Sequence, residues 1–332
     1  MTTAAPQPPQ APESDRPRDA AVPRSSQGVK AKARLADRVF SGLASGSGTL
    51  ILVILAAVAL FLIVQSLPAL TAPPAEVSGG AGFWGYVGPL LFGTVYAAAL
   101  AMIMAVPVAV GIALFISHYA PRRLAQGLGY IIDLLAAVPS VVFGLWGITV
   151  LAKFLQPFYA FLTDAFGWFP LFAGPVSGTG RTIFTVAVVL AVMILPIVTA
   201  LCREVFLQTP KLHEEAALAL GATRWEMIQT AVLPFGRPGI ISASMLGLGR
   251  ALGETMAVAI VLSPAAVVNF AWFQSTNSNT VAANIALSFP EAYGLKINEL
   301  IASGLMLFII TLAVNMLARY IISRRKAFSG AN

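Results

Sequence analysis

Six apolar runs, each about 20 residues long, decide what this chain can fold into, because that length spans a bilayer and a spanning segment has no water for its backbone polar groups. The runs lie near residues 48–67, 90–117, 127–151, 182–203, 238–262 and 298–321. They predict an all-α, polytopic membrane protein with six transmembrane helices. Pro107, Pro139 and Pro196 fall inside three of the runs and are expected to kink those helices. Composition points the same way. The chain is 58% hydrophobic and 11% charged, whereas soluble domains are about one quarter charged.

A net charge of +7 raises the possibility of a nucleic-acid partner. The distribution of the charge argues against it, since the basic residues sit at the ends of apolar runs, where membrane topology puts them. If both termini are cytoplasmic, only Lys153, Arg181 and Lys296 fall outside, Arg250 falls within a span, and every other Lys and Arg falls inside. That asymmetry predicts cytoplasmic N- and C-termini. Residues 1–40, rich in Pro, Ala, Ser and mixed charge, are expected to be a disordered cytoplasmic tail, with no signal peptide. Residues 41–87 then hold the first helix and an outer loop, 88–325 hold five helices, and 326–332 form a short tail.

Between the fourth and fifth runs lies KLHEEAALALGATRWEMIQTAVLP, Lys211 to Pro234. Thr209 and Pro210 read as an N-cap and first helical residue, and Gly221 reads as a helix stop. Thr223 and Glu226 have the spacing of a capping box, and Pro234 is expected to end the second helix. Two short helices over about 209–234 follow, on the cytoplasmic side by the charge argument. They offer a firm surface to a soluble partner, or they lie amphipathically on the membrane.

The fifth run carries two charges. Counted from Pro238, Arg250 lies roughly 18 Å along the helix, near mid-bilayer, and Glu254 one turn later shares its face. A charge there must face protein or water. Either the two form a pair that ties helices together, or Arg250 lines the path of an anion, since guanidinium donors match phosphate oxygens and Glu254 would position it.

The other features are weaker. Asp133 reads as a helix-start or interfacial carboxylate, and Glu204 and Glu299 as solvated groups at membrane edges. The aromatics of the outer loops, among them Tyr159, Trp168, Phe172, Trp272 and Phe273, are expected to join the interfacial belt. The loop 263–297, with its polar run Gln274–Thr280, is a connector, a docking surface or a gate. One cysteine, Cys202, and two histidines, His118 and His213, give no metal site or internal disulfide. No P-loop and no nucleophile–base set is present, so neither a nucleotide cofactor nor covalent catalysis is expected of this chain.

Glu215-Ala216-Ala217, Gly221 and Leu233-Pro234 resemble the EAA loop of ATP-binding-cassette import permeases. The likeness departs at Ala231, where that family usually carries isoleucine. GLGRALGETMAV around Arg250, together with Asp133 to Leu145, is similar to the PstC family of phosphate-importer permease subunits, and the likeness covers about 88–325. The resemblance implies a type I, MetI-like import core. It implies a PstA-like permease partner, a PstB-like ATPase dimer docked on the EAA loop, and a PstS-like phosphate-binding protein outside. It also implies that Arg250 and Glu254 take part in the passage of inorganic phosphate.

Overall fold

A computed structural model describes residues 35–326, with side chains described over 39–320. Most of the predicted tail 1–40 and the predicted tail 326–332 lie outside the described residues. The first helix, α1, runs Leu35–Thr71, and the chain divides into two units within it, after Ala56. In the first unit Leu50 to Leu55 are all exposed, the surface a helix presents to lipid.

In the second unit the chain continues through α2 (Gly82–Leu114), which closes in a π-helical turn Phe115–Tyr119, and α3 (Arg122–Ala136). Then α4 (Ser140–Trp146) passes through a second π-turn, Gly147–Leu151, into α5 (Ala152–Phe166). After α6 (Ile183–Leu207) come the short α7 (Lys211–Ala219) and α8 (Arg224–Met227). A third π-turn, Ile228–Val232, leads into α9 (Leu233–Leu252), followed by α10 (Met256–Val261), α11 (Val281–Ser288) and α12 (Leu295–Lys326).

Among the described residues six helical stretches are long and apolar enough to cross a membrane: Val39–Thr71, Gly82–Tyr119, Ser140–Phe166, Ile183–Leu207, Arg224–Leu252 and Leu295–Tyr320. Two of them correct the sequence boundaries. The third span is Ser140–Phe166, not 127–151. Pro139 does not kink a helix; it is the N-cap residue of α4, where its missing N–H has no bond to lose. The residues before it form α3, whose Arg122, Arg123, Gln126 and Asp133 suit a membrane edge better than hydrocarbon. Lys153, assigned to a loop, lies within the Ser140–Phe166 helix. The fifth span is Arg224–Leu252, not 238–262. Pro234 does not end a helix, because the π-turn before it widens the backbone and α9 continues through Pro234 and Pro238.

Helix α6 is the centre of the packing, and α2 lies along it. Ala97, Ala101, Ala105, Ala109 and Ala113 recur every fourth residue of α2, and each is at most 1% exposed. This ridge of methyl groups meets Val186, Val189, Leu190, Met193, Ile194 and Val198 of α6 in two continuous clusters. Small residues let helices approach where no hydrophobic force drives them together in lipid. Glycines do the same for α9. A Cβ at Gly247 would lie 2.9 Å from Val198 Cγ2, and one at Gly236 would lie 2.8 Å from the Phe206 ring.

At the end of the bundle away from α7, the loop aromatics stack on one another instead of lining a belt. Tyr159 and Phe273 are buried, with ring centroids 4.5 Å apart, and Phe172, Phe184 and Trp272 extend the stack. Trp168 remains exposed, as a belt residue would. The polar run of this loop is folded inward. Asn277 to Thr280 are buried, Thr94 of α2 accepts the Val281 N–H at 3.0 Å, and Thr280 caps α11. That end of the loop is therefore neither a bare connector nor an open docking face.

Candidate functional site

Two places carry the residues singled out in the sequence: the junction of α9 with α10, and the turn between α7 and α8. At the first, the helix does not run on from Arg250 to Glu254. It ends at Leu252, the chain turns over Gly253–Thr255, and α10 begins at Met256. The expectation that both side chains share one face of one helix is thereby corrected. Arg250 lies in the last turn of α9, and Glu254 lies beyond the break. No ion pair joins them among the described residues.

Each charge matches the helix end beside it. The C-terminus of α9 carries partial negative charge, which suits Arg250, and the N-terminus of α10 carries partial positive charge, which suits Glu254. Glu254, 8% exposed, accepts the Ala257 N–H on Oε1 at 3.1 Å. At the far end of α10, Arg181 donates from Nη2 to the Leu262 and Ile260 carbonyls at 3.0 and 3.3 Å, and from Nε to Val261 at 3.4 Å. The short helix is thus held by a carboxylate at one end and a guanidinium at the other. It also lies hard against α4, where a Cβ at Gly144 would stand 2.9 Å from Ala257 Cα. Sequence reasoning placed Arg181 in a loop and missed this bond set; its position immediately before the α6 N-cap Thr182 gave no cue.

Arg250 is half-buried and has no hydrogen-bond or ion-pair partner among the described residues. It lines a cavity of about 620 Å³ with Ile197, Ser242, Met245, Leu246, Gly249 and Asn315. A second cavity, about 180 Å³, is lined by Ser242, Met245, Asn315, Ala318 and Arg319. Ser242, Met245 and Asn315 border both, so a mostly apolar surface with spaced polar groups runs from Arg250 to Arg319 along α9 and α12. Asn315 and Arg319 were not singled out in the sequence as site residues. A lone amide one turn before an arginine, inside an otherwise apolar run, was the available signal.

The second place is the α7–α8 turn. Gly221 has φ +86°, its N–H bonds to the Leu218 carbonyl, and the Ala222 N–H bonds to Ala217. These two bonds form a Schellman motif. The capping box is complete: Thr223 Oγ1 accepts the Glu226 N–H and Glu226 Oε2 accepts the Thr223 N–H. The start of α7 is one residue later than expected, with Pro210 as N-cap; Thr209 is buried with Oγ1 unpaired. Glu215 and Ala216 are exposed, whereas Ala217 and Leu233 pack beside Phe206, Met227, Ile228 and Val232. Pro234 is exposed. His118 Nε2 lies 3.5 Å from Glu214, tying α7 to the end of α2. Around the turn Leu212, Leu220 and Trp225 are exposed, Leu220 by 91%.

A sequence model of the family described as "Binding-protein-dependent transport system inner membrane component" matches residues 105–327. This chain belongs to that family. The permease is 47% identical over 301 residues to the phosphate transport system permease protein PstC 2 of Mycobacterium tuberculosis, covering 87% of this chain and 92% of that protein. It is 37% identical over 323 residues to PstC of Mesorhizobium japonicum, covering 94% and 97%. The fold resembles that of a bacterial alginate ABC transporter solved with its pentasaccharide-bound periplasmic protein, with a TM-score of 0.58, 14% identity, and coverage of 89% and 97%. The permease is accordingly a multi-pass inner-membrane subunit of an ABC importer, which also comprises a partner permease, a binding protein and a separate ATPase. It is a transport subunit and not an enzyme.

Proposed function

We propose that this chain is the permease subunit of an ATP-driven importer of inorganic phosphate, forming half of its pathway. The observation that carries the reading is Arg250, which has no partner among the described residues and lines the cavity beside a broken helix. Discontinuous helices put backbone ends and charged side chains where an ion can be held inside a membrane. An arginine without a carboxylate partner keeps all its donors for an oxyanion. The relatives named PstC support phosphate as that oxyanion. Ser242, Asn315 and Arg319 mark the continuation of the path towards the end of the bundle that carries α7.

Under this reading that end is cytoplasmic, as are both termini, which the clustering of Arg122, Arg123, Arg203, Lys211, Arg224 and Arg237 there supports. Glu215, Ala216, Ala217, Gly221, Leu233 and Pro234 then belong to the element that docks on a PstB-like ATPase dimer. The exposed Leu212, Leu220 and Trp225 suit a soluble partner better than solvent. A PstA-like chain supplies the other half of the pathway, and a PstS-like protein delivers phosphate from outside. Closure of the ATPases shifts α7 and α8 and switches the side to which the cavity opens. Glu254 keeps α10 in register and is not the partner of the arginine.

The test is labelled-phosphate uptake in cells whose own phosphate importers are deleted. Arg250→Gln should abolish uptake while the complex still assembles and hydrolyses ATP. Wild-type uptake in that variant would remove Arg250 from the pathway. Competition by unlabelled sulfate as strong as by unlabelled phosphate would remove phosphate as the cargo.

A further inference from the structure

A third basic cavity shares no lining residue with the two that border Arg250 and Arg319. We infer that Arg122 and Arg203 form a separate binding site for a phosphate group at the end of the bundle that carries α7. The cavity, about 230 Å³, is bounded by the end of α2, the start of α3 and the end of α6. Arg122, Arg203, Gln126 and Ser117 line it, with apolar Ile116 and Leu207 alongside. Two guanidiniums from different helices thus converge on one space.

The surrounding charges leave this space positive. The carboxylate beside Arg203 is Glu204, 3.8 Å away and pointing to solvent with 62% of its side chain exposed. Glu214 is engaged with His118, 3.5 Å from its Nε2. Arg122 has no partner among the described residues. Helix α3 adds to the field: its N-cap Pro121 offers no side-chain acceptor, its first turn holds no acid, and its first two residues are Arg122 and Arg123. Cations at a helix N-terminus oppose the helix dipole. A bound anion removes that conflict by taking guanidinium and backbone N–H donors together.

The Arg203 guanidinium is seated by design of the backbone. A Cβ at position 129 would fall 2.6 Å from its Nη1 and 3.2 Å from its Cζ, so Gly129 leaves the space in which the edge of the group rests against α3. At about 230 Å³ the cavity has room for a phosphate group, and its apolar wall suits a group carried on a chain. Two sources share this chemistry: free inorganic phosphate, and the headgroup of an anionic phospholipid, for which basic pockets between spanning helices are suited.

The test uses the assembled transport complex without its binding protein, carrying Arg250→Gln, so the result does not depend on the proposed pathway. One arm measures labelled inorganic phosphate bound at equilibrium in detergent. The other embeds the complex in phosphatidylcholine bilayers containing phosphatidylglycerol and measures the phosphatidylglycerol retained on extraction. Adding Arg122→Gln and Arg203→Gln should lower binding of one probe by about tenfold or more. Loss confined to phosphate identifies the free ion, and loss confined to phosphatidylglycerol identifies the headgroup. Equal binding of both probes with and without the two substitutions overturns the site. If the doubly substituted complex does not assemble, Gly129→Val, which unseats Arg203 and keeps both charges, should give the same loss, and unchanged binding in it overturns the site equally.

Discussion

Arg250 and Glu254 stand four residues apart in sequence and on opposite sides of a helix break, and they form no ion pair. Arg250 lies in the last turn of one helix; Glu254, just ahead of the next, accepts its Ala257 N–H at 3.1 Å. The geometry replaces one question, whether the pair is structural glue, with two separable roles. The arginine is available to a ligand. The carboxylate holds the short helix that Arg181 closes at its other end.

Glu254→Gln and Glu254→Ala therefore should differ. Glutamine keeps an oxygen that can accept the Ala257 N–H, so uptake should stay near that of the parent. Alanine leaves the amide unpaired and should cost about 1 kcal/mol of local stability, the usual loss on removing a cap, with a lower rate of uptake at equal membrane abundance. Equal damage from both substitutions would return the role to the charge.

The sequence was informative where one physical constraint acted alone. Apolar length announced six spans, and Gly221, Thr223 and Glu226 announced the α7–α8 turn because a left-handed glycine and a capping box are local. It misled where two constraints competed. The run 127–151 is apolar enough to read as one span, yet Pro139 separates an edge helix from a true span. Periodicity placed Arg250 and Glu254 on one face because Gly253 is a weak stop signal beside such apolar neighbours. The inward fold of Asn277–Thr280 depends on α2 contacts distant in sequence, which no local pattern encodes.

Asn315 offers the next test. It borders both cavities, between Arg250 and Arg319. Asn315→Leu puts an isobutyl group at a polar position of the proposed path, and would remove a hydrogen bond of the kind worth about 1.5–3 kcal/mol to a charged ligand. Uptake should fall by roughly tenfold or more, while the amount of assembled complex stays the same. Parent-level uptake would show that the two cavities are not one route.

Glu299 was expected at a solvated membrane edge, and it is 1% exposed. Its Oε1 accepts the Ser78 N–H at 3.0 Å, fastening the α1–α2 loop to α12, while Oε2 has no partner among the described residues. Glu299→Gln retains the acceptor and should leave thermal stability nearly unchanged. Glu299→Ala strands the Ser78 amide and should destabilise by about 1–3 kcal/mol, read as an earlier melting transition of the detergent-solubilised complex. The reverse order would mean that the negative charge itself is needed.

Gly221 isolates the α7–α8 turn, proposed to couple to the ATPase, from every other effect. Its φ of +86° lies where a side chain is strained, yet nothing stands within 4 Å of the Cβ it lacks. Alanine there meets no clash, so its effect comes from the backbone alone, more than about 1 kcal/mol against the Schellman turn. The turn sets the angle between α7, anchored through Ala217 and the His118–Glu214 contact, and α8, anchored through Met227. Both anchors stay in place, so the complex should assemble normally. The angle between the helices should relax, and with it the transmission of ATPase closure to the spans. Gly221→Ala should then lower phosphate moved per ATP hydrolysed in proteoliposomes, and Gly221→Pro, which also removes the N–H that bonds to Leu218, should lower it further. An unchanged transport-to-hydrolysis ratio in both variants would detach this turn from coupling, leaving the exposed Leu212, Leu220 and Trp225 without the partner proposed for them.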